Sequence, residues 1–432
     1  MCQKEVPLLR GKQCKAEAVS LSPLYAALFL RTAAFAIATL PAYALQMYKL
    51  TLATGGDASS AAWSLGVATA LRYLTEHIGS RLLKNWTSIL GCRPVLAVSC
   101  AALAVESASM TFATTPLSLG AVHVLGGFAF SAGSVESHCI ASSAYLGSTR
   151  QAEAAEGLLH AMGAAFVMGP CVGGCIKAGL GGAAPFAIAH VVNLAAFFIV
   201  MVFLPEYMPV GIEARMQLRR RSPPPPPQTR GAFLPGQGRA LAWYCCAVAL
   251  SAMGMAAFGS TSALWMRASL RWDAAHMGDF IGTAGFCQVF AQVLILPRIA
   301  ERSRGRETLA AQLCLVATAT RFIYLACFPD GAWAYVLLAT SLGFCGTPFL
   351  SALCFLHAPQ GGQGVLNSGL PALNVAASAT GSLVGSALLA RALQDSLPPA
   401  APLLFAAAAH CLAGFCVAQG KKALESEREL DV

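Results

Sequence analysis

Six charged side chains fall deep inside long apolar stretches of this sequence: Arg31, Arg72, Glu76, Glu106, Glu136 and Arg321. A charge at the centre of a membrane helix costs about 2.5–3.5 kcal/mol on insertion scales, so each one demands a partner or a function. Arg72 and Glu76 are spaced i, i+4 and share a helix face, where they can neutralise one another. Counting about 1.5 Å of rise per residue, Arg31 lies roughly 13 Å into the first apolar run and Glu136 roughly 15 Å before the end of the fourth. The two can meet near mid-membrane, either as a pair that solute or a proton disrupts or as a static ion pair. His138 is two residues from Glu136 and points about 200° away around the helix, so packing is its expected role. Asp279 sits near the outer end of its run, within reach of water.

The elements that must carry these groups are legible in the composition. Of 432 residues, 56% are hydrophobic and 11% charged, against about 25% charged in a soluble domain. The apolar residues come in runs of about 20, the length a helix needs to cross the hydrocarbon. They read as spans near 22–48, 60–79, 94–114, 118–146, 157–177, 185–205, 240–265, 277–297, 308–328, 333–356, 365–390 and 399–419. The runs are continuous and rich in Ala, Leu and Gly, which excludes the short alternating segments of a β-barrel. The reading is an all-α integral membrane protein with about twelve transmembrane helices in two six-helix bundles.

Residues 1–21 form a polar N-terminal tail, 22–205 the first bundle, 206–239 a linker, 240–419 the second bundle and 420–432 a C-terminal tail. The linker carries six Arg around the run Pro223 to Pro227, which excludes a continuous helix and favours a stiff spacer. The first 20 residues are polar and the first apolar run is span-length, so no cleavable signal peptide is expected. The net charge of +9 follows topology rather than a nucleic-acid face. With the N-terminus inside, 21 Lys/Arg fall on the cytoplasmic side, 5 outside (Lys49, Lys177, Arg267, Arg271, Arg391) and 3 within spans. Both termini are therefore expected in the cytoplasm, and the sequon at Asn85 should stay unmodified. Most of the sixteen Cys lie in apolar runs as small hydrophobes, so no disulfide framework is read. No His-Glu-x-x-His, Gly-x-Ser-x-Gly, phosphate loop or Cys/His metal cluster points to an enzyme, a metal or a cofactor.

The halves repeat weakly. Gly91-Cys92-Arg93 follows the second span, and Arg302-Ser303-Arg304-Gly305-Arg306 follows the eighth. Gly169-Pro170-Cys171-Val172-Gly173-Gly174 in the fifth span has a counterpart in Gly381-Ser382-Leu383-Val384-Gly385 in the eleventh. Repeats of this kind place a solute site at a pseudo-symmetric interface.

The stretch from Ala165 to Gly174 resembles the helix 5 motif Gly-x-x-x-Gly-Pro-x-x-Gly-Gly of the drug/proton antiporter branch of the major facilitator superfamily, with only the first Gly replaced. That branch includes tetracycline-resistance-like and organic-cation-transporter-like proteins. The loop between helices 2 and 3 departs from the family pattern: Ser88 and Ile89 stand where an Asp and an Arg are usual. In the second half Glu301, Arg302, Gly305 and Arg306 retain the pattern with one residue inserted. His123 stands where helix 4 usually carries an Arg. The resemblance implies that helices 1, 4, 7 and 10 line a central cavity, with Arg31, His123, Glu136 and His138 as coupling or solute-binding candidates. It implies that Glu106 and Arg321, in helices 3 and 9, lie at the periphery. Trp243, Tyr244, Phe258, Trp265, Tyr335 and Phe344 are candidates for the cavity wall, suited to a cationic or amphipathic solute. The function implied is secondary transport of a small organic solute by a monomer in the lipid bilayer, with proton coupling left open. An uncoupled uniporter and a non-transporting sensor or scaffold are the alternatives.

Overall fold

The computed structural model describes residues 21–141, 148–204, 237–303, 305–328, 342–343, 346–358 and 363–428, with some side chains inside those helices left aside. The proline run, both tails to residue 20 and beyond 428, Tyr335 and Phe344 lie outside the described residues. So do the side chains of Asn85, Ser88, Ile89, Glu136 and His138.

Twelve helices are found among the described residues: α1 (Ser22–Ala53), α2 (Ala58–Leu90), α3 (Cys92–Thr111), α4 (Pro116–Ala141), α5 (Ser148–Gly179) and α6 (Ala184–Phe203). The second set is α7 (Gln237–Leu270), α8 (Ala274–Arg302), α9 (Glu307–Cys327), α10 (Gly346–Leu356), α11 (Gln363–Ala392) and α12 (Ala401–Arg428). Several run past the apolar stretches that announce them. Hydropathy detects only the segment in hydrocarbon, whereas backbone hydrogen bonding continues into polar surroundings, as at the end of α2.

Local chemistry fixes the turns. Gly91 alone joins α2 to α3, at φ 91°, a conformation that glycine adopts without steric cost. Thr115 and Ser118 cap α4 reciprocally, Ser118 N–H donating to Thr115 Oγ1 at 3.1 Å and Thr115 N–H to Ser118 Oγ at 3.2 Å. Asp273 caps α8, accepting the His276 N–H at 2.9 Å. Breaks interrupt α1 and α8. The α5 helix runs through Pro170 without interruption, whereas α1 breaks at Leu40, where φ −122° and ψ 106° follow from the bar on helical geometry before Pro41. A π-helical turn also interrupts α8 at Ala291–Ile295.

Helices α1 to α6 pack among themselves, with α1 against α5 and α6, and α3 against α4 and α6; α7 packs on α11 and α12, and α9 on α12. The main contacts between the sets are α5 on α8 and α2 on α11, with smaller ones of α2 on α7 and of α1 on α7 and α8. The equivalence of the sets reaches individual positions. Glu106 and Arg321 stand at the same offset from the starts of α3 and α9 (Cys92 to Glu106, Glu307 to Arg321), and Asn193 and His410 at the same offset in α6 and α12 (Ala184 to Asn193, Ala401 to His410).

The buried apolar side chains divide unequally along the molecule. Toward the short loops at 54–57, 112–115, 180–183 and 271–273, one core is shared by both halves, including Ile37, Met47, Leu65 and Phe186 with Trp265, Met277, Phe322 and Leu389. Toward the end that carries both termini there are two separate cores, one with Leu24, Leu96 and Val200 from the first half and one with Tyr244, Leu315 and Val417 from the second. The halves are thus sealed together at the loop end and packed independently at the terminal end.

Candidate functional site

Small residues make the seal. A Cβ on Gly173 would stand 2.6 Å from the Ile37 carbonyl oxygen, so α5 lies against α1 backbone to backbone. Across the halves, a Cβ on Gly278 would stand 3.0 Å from Gly174 Cα, and one on Gly285 2.9 Å from the Phe166 carbonyl oxygen. Gly169 likewise faces Ala36 of α1, and Cys171 Sγ lies 3.6 Å from the Gly278 carbonyl oxygen. The Gly169, Pro170, Gly173 and Gly174 stretch therefore lines two interfaces at once, one within its half and one between halves.

In the first half, three helices bring charges together. Arg72 of α2 donates from Nη1 to Glu106 Oε1 of α3 at 2.6 Å and from Nε to Glu76 Oε1 at 3.0 Å. The same Nη1 lies 2.9 Å from His123 Nδ1 and 2.8 Å from the His123 carbonyl oxygen on α4. An arginine can only donate, so His123 Nδ1 must be the accepting, unprotonated nitrogen in this state. His123 Nδ1 also lies 3.6 Å from Glu106 Oε1, and the Tyr43 ring of α1 stacks on the imidazole at 4.0 Å. Arg72, Glu106 and His123 are all buried. Arg31 is buried nearby, donating to the Phe130 carbonyl oxygen and lying over the Phe130 ring at 4.8 Å. The Arg31–Glu136 pair read from the sequence falls on a side chain outside the described residues.

In the second half lies a cavity of about 660 Å³, walled by α7 to α12 and by Tyr73 of α2. Its polar wall includes Gln288, Gln292, Asn374, Arg321 and His410. A second, apolar cavity of about 210 Å³ meets it at Met255, Gln288 and Arg321, and is walled by Leu40 and Phe166 of the first half with Phe258, Phe280 and Leu325 of the second.

Five placements correct the sequence reading. Glu106 and Arg321 are not peripheral: Glu106 is the partner of Arg72, and Arg321 stands between the two cavities. Trp243, Tyr244 and Trp265 are on the wall of neither of these two cavities. Trp243 is 37% exposed and meets Phe415 edge-on, Tyr244 lies in the core of the second half, and Trp265 lies in the shared core. Aromatic character marks burial but not which side of a helix faces a void; the i, i+4, i+7, i+11 set Ser251, Met255, Phe258 and Ser262 does that on α7. Phe258 is placed on the apolar wall. Glu301, Arg302 and Arg306 are exposed around the α8–α9 turn, where Gly305 has φ 76° and donates its N–H to Glu307 at 2.8 Å.

A chain with sealed and split ends, two six-helix sets in pseudo-symmetry and a polar cavity in the second of them invites comparison with known transporters. It is 26% identical over 343 residues to the class G tetracycline resistance protein of Vibrio anguillarum, covering 77% of this chain and 82% of that protein. The class D protein of Salmonella ordonez is 23% identical over 333 residues, covering 77% and 81%. The chain is similar in sequence to these tetracycline resistance proteins over about three quarters of its length. No family model matches it. Among solved structures, the human organic anion transporter MFSD10 (TETRAN) superposes with TM-score 0.60 at 17% identity, covering 92% of this chain and 98% of that one. A POT family transporter in complex with a thioalcohol-conjugated peptide gives TM-score 0.70 at 11% identity, covering 93% and 96%. A bacterial homologue of the iron transporter ferroportin, in its inward-facing state, gives 0.64 at 15%, covering 95% and 99%. The structural likenesses establish the fold.

Proposed function

We propose that this chain is a major facilitator transporter that moves a small organic solute by alternating access, the solute occupying the cavity beside Arg321 and Tyr73. The observation that carries the reading is the division of the core: one shared core at the loop end, two independent cores at the terminal end, and a polar cavity above the split. Rocking one half against the other would break the shared core and close the split, exposing the cavity to the opposite side. The Lys/Arg bias supports a cytoplasmic location for both termini, so the split end is the cytoplasmic one. The working unit is the monomer, since each chain holds a complete pair of halves.

The Arg72–Glu106–His123 cluster is the coupling element of this proposal. Protonating His123 would set an imidazolium against the Arg72 guanidinium and draw the new N–H toward Glu106, re-sorting contacts among α2, α3 and α4. Tyr73, the next residue on α2, reaches into the cavity, so a shift of α2 would be felt by the solute. The charged and titratable groups gathered here are Arg31 and Tyr43 of α1, Arg72 and Glu76 of α2, Glu106 of α3 and His123 of α4. The tetracycline-resistance relatives make amphipathic, ring-bearing solutes the first to test. Reconstitution in proteoliposomes with weak bases, carboxylates and sugars, with and without a pH gradient, tests the reading. Gradient-driven saturable flux supports it, flux indifferent to the gradient supports a uniporter, and binding without flux supports a sensor.

A further inference from the structure

At the loop end lies a further cavity, of about 320 Å³, whose wall is drawn from both halves. The first half supplies Tyr48 of α1 and Ala58 of α2; the second supplies Arg267 of α7, Arg271 and Trp272 of the α7–α8 turn, and Leu393 just after α11. The Arg267 guanidinium lies over the Tyr48 ring at 5.4 Å, a cation–π contact that crosses the seam between the halves. Arg271 has φ 55°, a left-handed backbone that costs any residue with a Cβ and that glycine would adopt freely. Both arginines are open to solvent. No Asp or Glu belongs to the wall among the described residues. The carboxylates that flank it in sequence are turned to the starts of their own helices. Asp57, beside Ala58, accepts the Ser60 N–H at 2.7 Å and its hydroxyl at 2.6 Å, and Asp273, beside Trp272, accepts the His276 N–H at 2.9 Å. The wall therefore carries two positive charges and two aromatic rings.

We infer that this cavity binds a small water-borne anion of the phosphate type, and that the bound anion clamps the two halves together at their sealed end. Two guanidinium groups match a doubly charged anion, and each planar fork can give two parallel hydrogen bonds to a pair of acidic oxygens. A volume of about 320 Å³ admits phosphate with a small organic group attached, which the Tyr48 and Trp272 rings would flank. Rocking the halves apart draws Tyr48 and Ala58 away from the two arginines and opens the cavity to bulk water, where a charge pair contributes little. The anion therefore binds the sealed state better and shifts the equilibrium toward it. A lipid headgroup carries the same phosphate, but a cavity walled by both halves at their seam favours the free anion. Binding is independent of the transport reading, whereas clamping rests on the rocking of the halves.

The test uses the full chain in detergent, with inorganic phosphate compared against chloride at equal ionic strength so that general screening is matched. Thermal stabilisation reads binding. Alkylation of Cys171 by a water-soluble thiol reagent, followed by peptide mass spectrometry, reads opening, because Cys171 Sγ lies 3.6 Å from the Gly278 carbonyl oxygen across the seal. Phosphate should stabilise the protein saturably. At about ten times its dissociation constant it should slow Cys171 alkylation about 10-fold, since a ligand of the sealed state alone lowers the open population by the factor 1 + [L]/Kd. Arg271→Gly relieves the left-handed turn and so keeps the fold, and should weaken phosphate binding at least about 10-fold, the worth of one charge-assisted contact. Arg267→Lys, which keeps the charge, should weaken it less than Arg267→Gln. Saturable stabilisation with unchanged Cys171 alkylation sustains the site and overturns the clamp. A Cys171 that never reacts, with or without phosphate, overturns the rocking of the halves and leaves the site standing. Stabilisation by phosphatidic acid in the micelles but not by phosphate, no saturable stabilisation, or undiminished binding in both Arg271→Gly and Arg267→Gln overturns the inference.

Discussion

Replacing Glu106 by glutamine isolates the charge that the coupling cluster needs while keeping its shape. In the native protein Arg72 Nη1 donates to Glu106 at 2.6 Å and Nε to Glu76 at 3.0 Å. The amide introduced by E106Q would still offer a carbonyl oxygen to the guanidinium, so the bond becomes neutral-acceptor rather than charge-assisted on both sides. The difference between those two classes is about 1–2 kcal/mol, because Glu76 remains to balance Arg72. Truncation to alanine also strands a buried donor and opens a void, and breaking a buried pair outright costs about 3–5 kcal/mol. Thermal inactivation in detergent should therefore rank wild type above E106Q above E106A. In proteoliposomes E106Q should retain solute counterflow, which needs only the rocking of the halves, and lose accumulation driven by a pH gradient. Gradient-driven accumulation at the wild-type level in E106Q would refute the coupling role, and an E106A protein as stable as E106Q would refute the energetic account.

Further outcomes follow from the same geometry. Tyr73→Phe removes a hydroxyl from the first-half wall of the cavity and should slow flux more than it weakens binding, read by comparing counterflow rate with equilibrium binding; equal losses would place Tyr73 in binding alone. Asp273→Ala removes the cap of α8 and, at a site 59% exposed, should cost about 0.5 kcal/mol, read as faster hydrogen exchange in the first turn. Hydrogen bonds from His276 hold the Asp273 carboxyl below its ordinary value. Its contribution is therefore complete above the unfolded carboxylate value of about 3.9 and is lost as pH falls through the lower folded one; exchange protection in that turn that rises on acidification would contradict this.

Much of this architecture was legible because bilayer thickness and backbone hydrogen bonding leave few solutions: the apolar runs located the helices, and the i, i+4 spacing of Arg72 and Glu76 gave a pair found at 3.0 Å. The glycines of the α5 stretch announced close helix approach, though not that the approach is to α1 and α8 together. What the sequence could not supply was azimuth and partnership between helices. Glu106 and His123 are 17 residues apart in the chain and meet only because α3 and α4 pack antiparallel beside α2. Arg321 looked like a charge misplaced at the periphery until the packing of α9 against α12 turned it to the cavity. Its depth in the ninth span, close to that of Glu106 in the third, was available in the sequence and would have marked both as one central layer.

Alternating access itself can be tested with a single new thiol. A Cβ on Gly282 of α8 would stand 3.6 Å from Cys171 Cβ of α5, inside the roughly 3.5–4.5 Å range of disulfides, so Gly282→Cys should cross-link the two halves at their sealed end. Counterflow in proteoliposomes should stop when this variant is oxidised and return on reduction, while the wild type is indifferent to both treatments. Undiminished flux through fully cross-linked protein would contradict the claim that the α5–α8 seal opens during transport.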